Sequence, residues 1–336
     1  MVRGCRDDAQ ERFLYHARRS VAISRMAGSE RQLPDGVARR APLAWAEGER
    51  MRRLKSVLLG YRIAVRLPTS LTVWLVNRTW PWGRPVLDYL EFHLADHCNL
   101  NCAGCTHFAP FADTKFADIG NLRRDLMRLK VLFRNIRHLR IMGGEPLLHP
   151  DVAECVRLVR EMFPRSNIRL VTNGLKLLDR SDVVVDAVLA VLKENNVGVD
   201  WTLYPPLEKR REEIVRRCKE AGVDLRISEN GAFMARLLPD GGATSKDSFR
   251  WCRLCAYCPL LDDGRIYLCA QAHYVAYYNR VAGTSVPLDC GLDIHAATAR
   301  EILAYLMRPS RTCAWCDAGA RHFKWKGDAR PEDWLR

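Results

Sequence analysis

Three cysteines within eight residues constrain this chain more than any other feature of its sequence. Cys98, Cys102 and Cys105 lie in the run Asp-His-Cys-Asn-Leu-Asn-Cys-Ala-Gly-Cys, with the spacing C-x3-C-x2-C. Three thiolates at this spacing can hold three corners of a cubic iron–sulfur cluster. Because structural clusters are normally closed by four cysteines, a three-cysteine set leaves one iron open to another ligand. The triplet therefore indicates reactive iron chemistry; a zinc site or disulfide bonds are the alternative interpretations.

Two apolar runs accompany the triplet and extend the pattern. Residues 89–95, immediately before it, have the composition of a buried strand, and residues 139–142 lead into Gly143-Gly144-Glu145-Pro146. The cysteine spacing, the preceding strand and the strand that ends in Gly-Gly-Glu-Pro together resemble the radical S-adenosylmethionine (SAM) superfamily, over about residues 86–336. The resemblance implies a [4Fe–4S] cluster on Cys98, Cys102 and Cys105, which are also the catalytic residues, and reductive cleavage of SAM to a 5′-deoxyadenosyl radical.

The same resemblance assigns the cofactor-binding residues that follow the second and third strands. Gly143 and Gly144 let the backbone approach a ligand closely, and the family places the methionine amino group of SAM here, with Glu145 as its counter-charge. Thr172 and Asn173 face the ribose or the carboxylate of SAM in this comparison. An ordinary turn at Asn173-Gly174 is the alternative interpretation of this segment.

One residue departs from the family's pattern. An aromatic residue commonly precedes the third cysteine and lies against the adenine, whereas this chain has Gly104. His107 or Phe108, just beyond the triplet, are the residues expected to fill that space.

A second group of cysteines lies in the C-terminal third. It comprises seven residues: Cys252, Cys255, Cys258, Cys269, Cys290, Cys313 and Cys316. Eleven residues separate Cys252 from Gly264, four more separate Gly264 from Cys269, and Cys313 and Cys316 form a C-x2-C pair. This pattern resembles the Twitch domain, the short form of the SPASM domain, which carries one auxiliary [4Fe–4S] cluster.

The resemblance selects Cys252, Cys269, Cys313 and Cys316 as metal ligands, and Gly264 permits the tight hairpin that precedes Cys269. Cys255 or Cys258 is the possible replacement for Cys252, and a zinc ribbon is the alternative to the cluster. Of the other cysteines, Cys155 and Cys218 fall within helical patterns and are expected to be small core residues.

From residue 86 onward, strand-like and helix-like segments alternate. The strand candidates are 89–95, 138–142, 168–172, 198–203 and 224–228. The helical stretches lie near 119–134, 151–163, 178–194 and 207–221. Repeated βα units predict a parallel sheet with right-handed crossovers. The resemblance implies an α/β fold, namely a partial (β/α)6 TIM-like barrel with a small C-terminal Twitch-type cluster domain.

Three parts are therefore expected along the chain. Residues 1–85 form a basic N-terminal extension, partly disordered and then helical; residues 86–235 form the radical SAM barrel; residues 236–336 form the auxiliary cluster domain. Residues 1–85 hold 17 Lys and Arg against 7 Asp and Glu, which accounts for most of the net charge of +14. Weak contact of this extension with a membrane surface is possible, although a helix packed on the barrel is favoured.

Cysteine usage and the start of the chain indicate a compartment. The 13 cysteines cluster in metal-like spacings, and a labile cluster needs a reducing environment, which predicts a cytoplasmic protein. The N-terminal residues lack the apolar segment of a signal peptide, and no run of 18 apolar residues predicts a transmembrane helix.

Among Twitch enzymes the chain most resembles dehydrogenases and epimerases of sugars and aminocyclitols. Its tail, with Phe323-Lys-Trp325 and Glu332-Asp-Trp334, is similar to radical SAM proteins of polysaccharide and natural-product clusters. The predicted reaction is therefore oxidation or epimerisation of a carbohydrate-like alcohol, with a flavodoxin- or ferredoxin-type reductant and no nucleic acid.

The auxiliary cluster would accept the electron that alcohol oxidation releases, and a base would accept the hydroxyl proton. The sequence leaves four residues open for that base: Tyr204, Glu229, His273 and Tyr274. Thr202 and Ser228 are weaker candidates for SAM contacts. The alternative functions are a peptide-modifying radical SAM maturase and, from a different class, a non-catalytic iron–sulfur electron carrier or nucleic-acid-binding protein.

Overall fold

A parallel sheet carries most of the residues singled out above. The structure, a computed structural model, describes residues 84–229, 232–252 and 258–336. The predictions for residues 1–83 of the basic extension therefore lie outside the described residues. The first five strands are β1 Val86–Ala95, β2 Asn135–Gly143, β3 Asn167–Thr172, β4 Gly198–Leu203 and β5 Leu225–Glu229. Each is parallel to the next, in the order β5-β4-β3-β2-β1.

Helices connect these strands, as the sequence pattern predicts. They are α1 Ile119–Leu132, α2 Val152–Met162, α3 Val183–Glu194 and α4 Arg211–Glu220. The predicted α3 and α4 begin earlier than the observed helices, because the 3-10 turns Leu175–Leu178 and Pro205–Arg210 precede them. Asp182 then starts α3 by accepting hydrogen bonds from the amides of Val184 and Val185, which is the N-cap role that its position predicts.

The remaining elements extend the sheet and add a second one. They are β6 Ala232–Leu237, α5 Ser245–Trp251, β7 Leu260–Asp262, β8 Arg265–Tyr267, α6 Ala270–Ala282, β9 Leu292–Asp293, α7 Ala299–Tyr305 and β10 Cys316–Lys324. β7 pairs with β1 in parallel, and β8 and β9 follow it in antiparallel pairing. Among the described strands, the edge strands β5 and β9 do not pair with each other, so the sheet is an open, partial barrel.

The predicted hairpin before Cys269 is present. Asp263 and Gly264 connect β7 to β8, with φ values of 42° and 71°. Two successive residues with positive φ are typical of the tight turn that matches the twist of a two-residue hairpin. β6 and β10 form a separate antiparallel pair. Strands β7–β9 continue the main sheet. The proposed domain boundary at residue 235 therefore divides the first group of cysteines from the second, but it does not divide the two sheets.

β1 divides the interior into an apolar and a polar side. Leu90, Phe92 and Leu94 are at most 1% exposed and belong to the large core beneath the helices. Alternate residues of a strand point to opposite faces, so Glu91 and His93 lie on the other side, and both are buried as well. Cys155 and Cys218 are fully buried in the core, which confirms their structural interpretation. No helix among the described residues is long and apolar enough to cross a membrane.

One buried cation ties three strands together. Arg169 of β3 is 2% exposed, and its guanidinium forms ion pairs with Asp200 of β4 and with Asp224 just before β5. It also donates a hydrogen bond of 2.6 Å to the carbonyl of Val199. Gly198 leaves the space that the guanidinium occupies. Arg169 therefore sets the spacing of the strands on one side of the barrel.

We expect Arg169→Leu to lower the free energy of unfolding by about 2–4 kcal/mol. The variant loses the charged hydrogen bonds of the guanidinium, and Asp200 loses its ion pair with β3. Arg137→Leu is the matched control, since the Arg137–Asp88 pair is exposed on both sides and such pairs contribute at most about 1 kcal/mol. Denaturant unfolding measures both, and equal losses in the two variants would contradict the role given to Arg169.

Candidate active site

The ends of β1, β2 and β3 meet through side-chain hydrogen bonds. Glu145, after β2, accepts hydrogen bonds from the Thr172 hydroxyl at 2.7 Å and from the Asn173 amide nitrogen at 2.8 Å, both at the end of β3. Asn173 in turn donates from Nδ2 to the Sγ of Cys98 at 3.4 Å and to Oδ1 of Asn99 at 2.7 Å. The three motifs that the sequence separates by up to 75 residues therefore form one site.

Gly143 and Gly144 are positions where backbone packs against backbone. The amide of Gly144 donates to the carbonyl of Ala95 at 2.7 Å, and that of Glu145 donates to the carbonyl of His97 at 3.1 Å. A Cβ on Gly144 would overlap the His97 carbonyl, and one on Gly143, whose φ is +155°, would overlap that of Ala95. The glycines thus let the end of β2 approach the start of the loop that carries Cys98, Cys102 and Cys105, which we call the cysteine loop.

Glu145 is completely buried, and its carboxylate is surrounded by donors. Besides Thr172 and Asn173, the amide of Leu147 donates to it at 3.1 Å, so the side chain caps the 3-10 turn that follows. Burial raises the pKa of Glu145 to about 7, against the effect of the Asn173, Thr172 and Leu147 hydrogen bonds. With all three donors supplied by the protein, Glu145 holds the strand ends in register.

The three cysteines of the loop are suited to a thiolate-ligated cluster. Burial raises the pKa of the Cys98 thiol to about 12 and that of Cys102 to about 11. Metal binding would therefore release protons here, because thiolates are the ligands. N–H groups already point at the sulfurs: the Leu100 amide reaches Cys98 at 3.4 Å, and the Trp325 indole reaches Cys102 at 3.2 Å. Such donors stabilise the negative charge of a cluster.

The C-terminal tail packs on the cysteine loop, a contact that sequence reasoning did not anticipate. Lys326 accepts a hydrogen bond from the amide of Ala103 at 3.0 Å through its backbone carbonyl. The Trp334 indole donates to the carbonyl of Cys105 at 2.8 Å. The two tryptophan motifs of the tail were the signal available, but nothing in their spacing identifies the loop that they contact.

Phe323 of β10 occupies the space that Gly104 leaves open. A Cβ on Gly104, whose φ is +69°, would lie 2.6 Å from Cζ of Phe323 and 3.6 Å from Cβ of Phe233. Phe108 is instead fully buried and stacks on Trp334, with ring centroids 5.8 Å apart. The aromatic ring beside Gly104 is therefore that of Phe323, more than two hundred residues away in the sequence. From the sequence we expected His107 or Phe108 there.

Four cysteines of the second group lie near one another. Cys252 follows α5, Cys269 precedes α6, Cys313 is in the 3-10 turn Arg311–Trp315, and Cys316 begins β10. Burial raises the pKa of the Cys269 thiol well above its usual range, and the nearby thiols of the other three raise it further. Hydrogen bonds from the Leu238 amide to the Trp315 carbonyl and from the Ala243 amide to the Ala314 carbonyl hold the chain before α5 against the turn that carries Cys313. This arrangement suits a closed four-cysteine site.

The other cysteines of this group differ in their surroundings. Cys258 is close enough to Cys252 and Glu91 that both raise its pKa, after burial, so it lies between the second group and the polar side of β1. Cys290 is disulfide-bonded, and its sulfur offers no thiolate. Cys255 lies outside the described residues. Cys252 therefore remains the preferred fourth ligand, with Cys258 beside it.

The four residues considered for the base have different environments. Glu229 is exposed and forms an ion pair with Arg211 at 2.9 Å. Tyr204 is close to all three loop cysteines, which raise its pKa together with burial. His273 bonds to Asp262 at 2.8 Å through Nε2, and Tyr274 is buried. The His273–Asp262 pair has the arrangement of an oriented base, whereas Glu229 does not face this interior.

The central part of the chain is similar to a known family. Residues 93–228 match the model of the Radical SAM superfamily. A GTP 3′,8-cyclase of Microcystis aeruginosa is 33% identical over 117 residues, which are 34% of this chain and 35% of that protein. Molybdenum cofactor biosynthesis protein 1 of Bos taurus is 32% identical over 132 residues, 39% of this chain and 20% of its own. This chain thus spans about a third or less of the curated relatives it matches.

Solved structures with similarity to this chain include BtrN in complex with AdoMet and 2-DOIA. The TM-score is 0.44 at 16% identity, over 70% of this chain and 94% of that one. Native anSMEcpe with bound AdoMet gives a TM-score of 0.43 at 14% identity, over 69% of this chain and 83% of that one.

We expect Trp325→Phe to make the reduction potential of the cluster on the Cys98 loop more negative, because the N–H donor to the Cys102 sulfur is lost. Trp334→Phe is the matched control, since it removes an indole donor to the same loop that bonds to a carbonyl rather than to a sulfur. Redox titration of the anaerobically reconstituted protein, followed by electron paramagnetic resonance (EPR), measures the shift. The same potential in wild type and Trp325→Phe would refute this role.

Proposed function

We propose that this chain, which carries a radical SAM domain over residues 93–228, cleaves SAM reductively on a [4Fe–4S] cluster held by Cys98, Cys102 and Cys105. The observation that supports this most is the hydrogen-bonded chain from Thr172 and Glu145 through Asn173 to the Cys98 sulfur. When bound, the cluster and SAM supply a 5′-deoxyadenosyl radical, which removes a hydrogen atom from the substrate.

In this proposal the ends of β2 and β3 bind different parts of SAM. The backbone at Gly143 and Gly144 would receive the methionine amino group, and Glu145, which Thr172, Asn173 and Leu147 hold in place, would be the nearby counter-charge. Thr172 and Asn173 face its ribose or carboxylate, and Asn173 is positioned for this because it already bonds to the cluster ligand Cys98. Phe323 gives the adenine the aromatic face that Gly104 cannot supply.

A second [4Fe–4S] cluster on Cys252, Cys269, Cys313 and Cys316 completes the proposal. The mutual effect of these four thiols supports the assignment, and Cys258 is the replacement for Cys252. The domain limits, 86–235 for the barrel and 236–336 for the auxiliary cluster part, follow this division of the cysteines. A closed four-cysteine cluster has no open iron for SAM, so its role is to accept an electron.

The reaction proposed is oxidation of a secondary alcohol on a carbohydrate-like substrate. With both groups bound, SAM would supply the radical that takes the carbinol hydrogen, a base of this chain would take the hydroxyl proton, and the auxiliary cluster would supply the acceptor for the one electron that ketone formation releases. His273, oriented by Asp262, is the base that the contacts favour. A flavodoxin- or ferredoxin-type protein is the proposed reductant, in the cytoplasm.

A second candidate function is GTP 3′,8-cyclisation. It is favoured by the sequence identity of 31–34% to several GTP 3′,8-cyclases. Those matches span about a third of each relative, so the comparison covers only part of a GTP 3′,8-cyclase.

We expect Cys102→Ala to abolish formation of 5′-deoxyadenosine from SAM under anaerobic reduction, because two thiolates cannot hold the cluster with an open iron. Cys218→Ala is the control, since Cys218 is a buried core residue on α4, and it should retain both iron and activity. Liquid chromatography of the product measures the outcome. Persistent deoxyadenosine in Cys102→Ala would exclude the proposed site.

We expect the double variant Cys313→Ala/Cys316→Ala to lose about half of the roughly eight irons of the reconstituted protein, two four-iron clusters in all. It should still form deoxyadenosine but no longer yield a ketone from the alcohol substrate. Candidate sugars deuterated at the carbinol carbon and, in a parallel reaction, GTP deuterated at C3′ show which substrate transfers deuterium to deoxyadenosine. Deuterium transfer from GTP alone would favour cyclisation, and an unchanged iron content would remove the auxiliary cluster.

A further inference from the structure

The polar side of β1 holds two buried side chains, which a half-buried histidine joins, and the SAM site uses none of the three. Glu91 and His93 are 2% and 4% exposed, and His107, just after the cysteine triplet, completes the group. One ligating atom from each of the three lies within 4.8 Å of the others. We call Glu91, His93 and His107 the lumen triad.

Several atoms of the lumen triad have no hydrogen-bond partner. Glu91 Oε1 and both ring nitrogens of His93 are buried and unpaired. Each buried polar atom left unpaired costs about 1–3 kcal/mol, and native proteins rarely leave such atoms without a protein, water or ion partner. Three such atoms on adjacent side chains indicate a missing ligand rather than a packing accident.

Neighbouring charges do not supply that partner. Arg140 lowers the pKa of Glu91 electrostatically, yet its own contacts are with Asp200 at 3.2 Å and with the Leu139 carbonyl at 3.1 Å. Lys115 lies near three carboxylates, those of Asp96, Asp262 and Asp263. Burial dominates and raises the pKa of Glu91 to about 8. The carboxyl group therefore lacks a cation in contact with it.

Contacts around the lumen triad hold its side chains in place. Tyr89 donates its hydroxyl to Glu91 Oε2 at 3.2 Å, leaving Oε1 free. The ring of Tyr274 stacks on His93 with centroids 4.7 Å apart, and the rings of His93 and His107 are edge to face at 4.8 Å. A ligand carboxylate that is oriented by a second hydrogen bond is typical of protein metal sites.

Two imidazoles and one carboxylate are the ligand set that binds a divalent transition metal on one face and leaves other positions open. We propose that Glu91, His93 and His107 bind a mononuclear divalent metal ion of the iron(II), manganese(II) or zinc(II) class inside the barrel. The neutral imidazole is the form that coordinates a metal ion.

The open positions of this metal suit an alcohol oxygen, and this part of the inference rests on the proposed function. A metal-bound hydroxyl is a stronger acid than a free one, so the ion would favour loss of the substrate hydroxyl proton. The Tyr274 hydroxyl, also buried, is a further polar group on this side of β1. Substrate selection would then depend on a hydroxyl that can reach the metal.

Manganese titration of the anaerobically reconstituted holoprotein tests the site. Bound Mn²⁺ loses the six-line EPR spectrum of the free ion, and oxidised [4Fe–4S] clusters do not contribute to that signal. We expect one Mn²⁺ per chain, and a loss of affinity of more than about 100-fold in Glu91→Gln and in His93→Phe, which retains the stacking on Tyr274. Tyr89→Phe should lose about 10-fold, as for other partners of metal ligands.

Exposed residues provide matched controls. Glu212→Gln and His322→Phe replace an acid and an imidazole at the surface and should bind Mn²⁺ as the wild type does. Circular dichroism and iron content identify variants that fail to fold. If the wild type binds no Mn²⁺, or if Glu91→Gln and His93→Phe bind it as tightly as the wild type, the metal site is overturned. Deoxyadenosine formation without substrate, measured on the same preparations, tests the proposed function separately.

Discussion

The backbone contact between the end of β1 and the end of β2 is the constraint on which the site depends. Gly144 and Glu145 donate to carbonyls of Ala95 and His97, and no side chain fits between the two segments. This contact fixes the start of the cysteine loop relative to Glu145, which in turn holds the end of β3. The geometry of three strand ends therefore follows from two residues that have no side chain.

β10 links the two groups of cysteines. It begins at Cys316, within the second group, and passes Phe323 beside Gly104 before Trp325 reaches the Cys102 sulfur. Its pairing with β6 gives this connection a rigid backbone. A change in the metal content of the second group could thus alter the loop of the first group through one strand, without any contact between the clusters.

The sequence predicts the periodic parts of the fold well. The βα alternation locates five strands and four helices, because apolar periodicity and capping residues such as Asp182 act locally. The cysteine triplet and the Gly-Gly-Glu-Pro strand end predict a resemblance to the radical SAM superfamily, and residues 93–228 match the model of that superfamily. The glycines were expected to approach a ligand, whereas their observed neighbours are backbone atoms of the cysteine loop.

Long-range contacts of the site are not encoded in any local pattern. The packing of Phe323 and Trp325 on the cysteine loop depends on where β10 pairs, and its partner β6 lies some eighty residues earlier in the chain. The lumen triad combines alternate residues of β1 with His107 from the loop, so no spacing motif joins them. Such contacts require the tertiary structure.

The distance along the chain between Cys102 and Trp325 has a consequence for biogenesis. The ribosome makes Trp325 223 residues after Cys102. The nascent polypeptide therefore displays the thiols of Cys98, Cys102 and Cys105 long before Phe323 and Trp325, which pack on them, have been made. Oxidation or scavenging of stray metals during that interval is a hazard of this architecture. Iron and sulfide can reach the thiols until β10 packs on the cysteine loop. After that, Phe323 and Trp325 cover the loop.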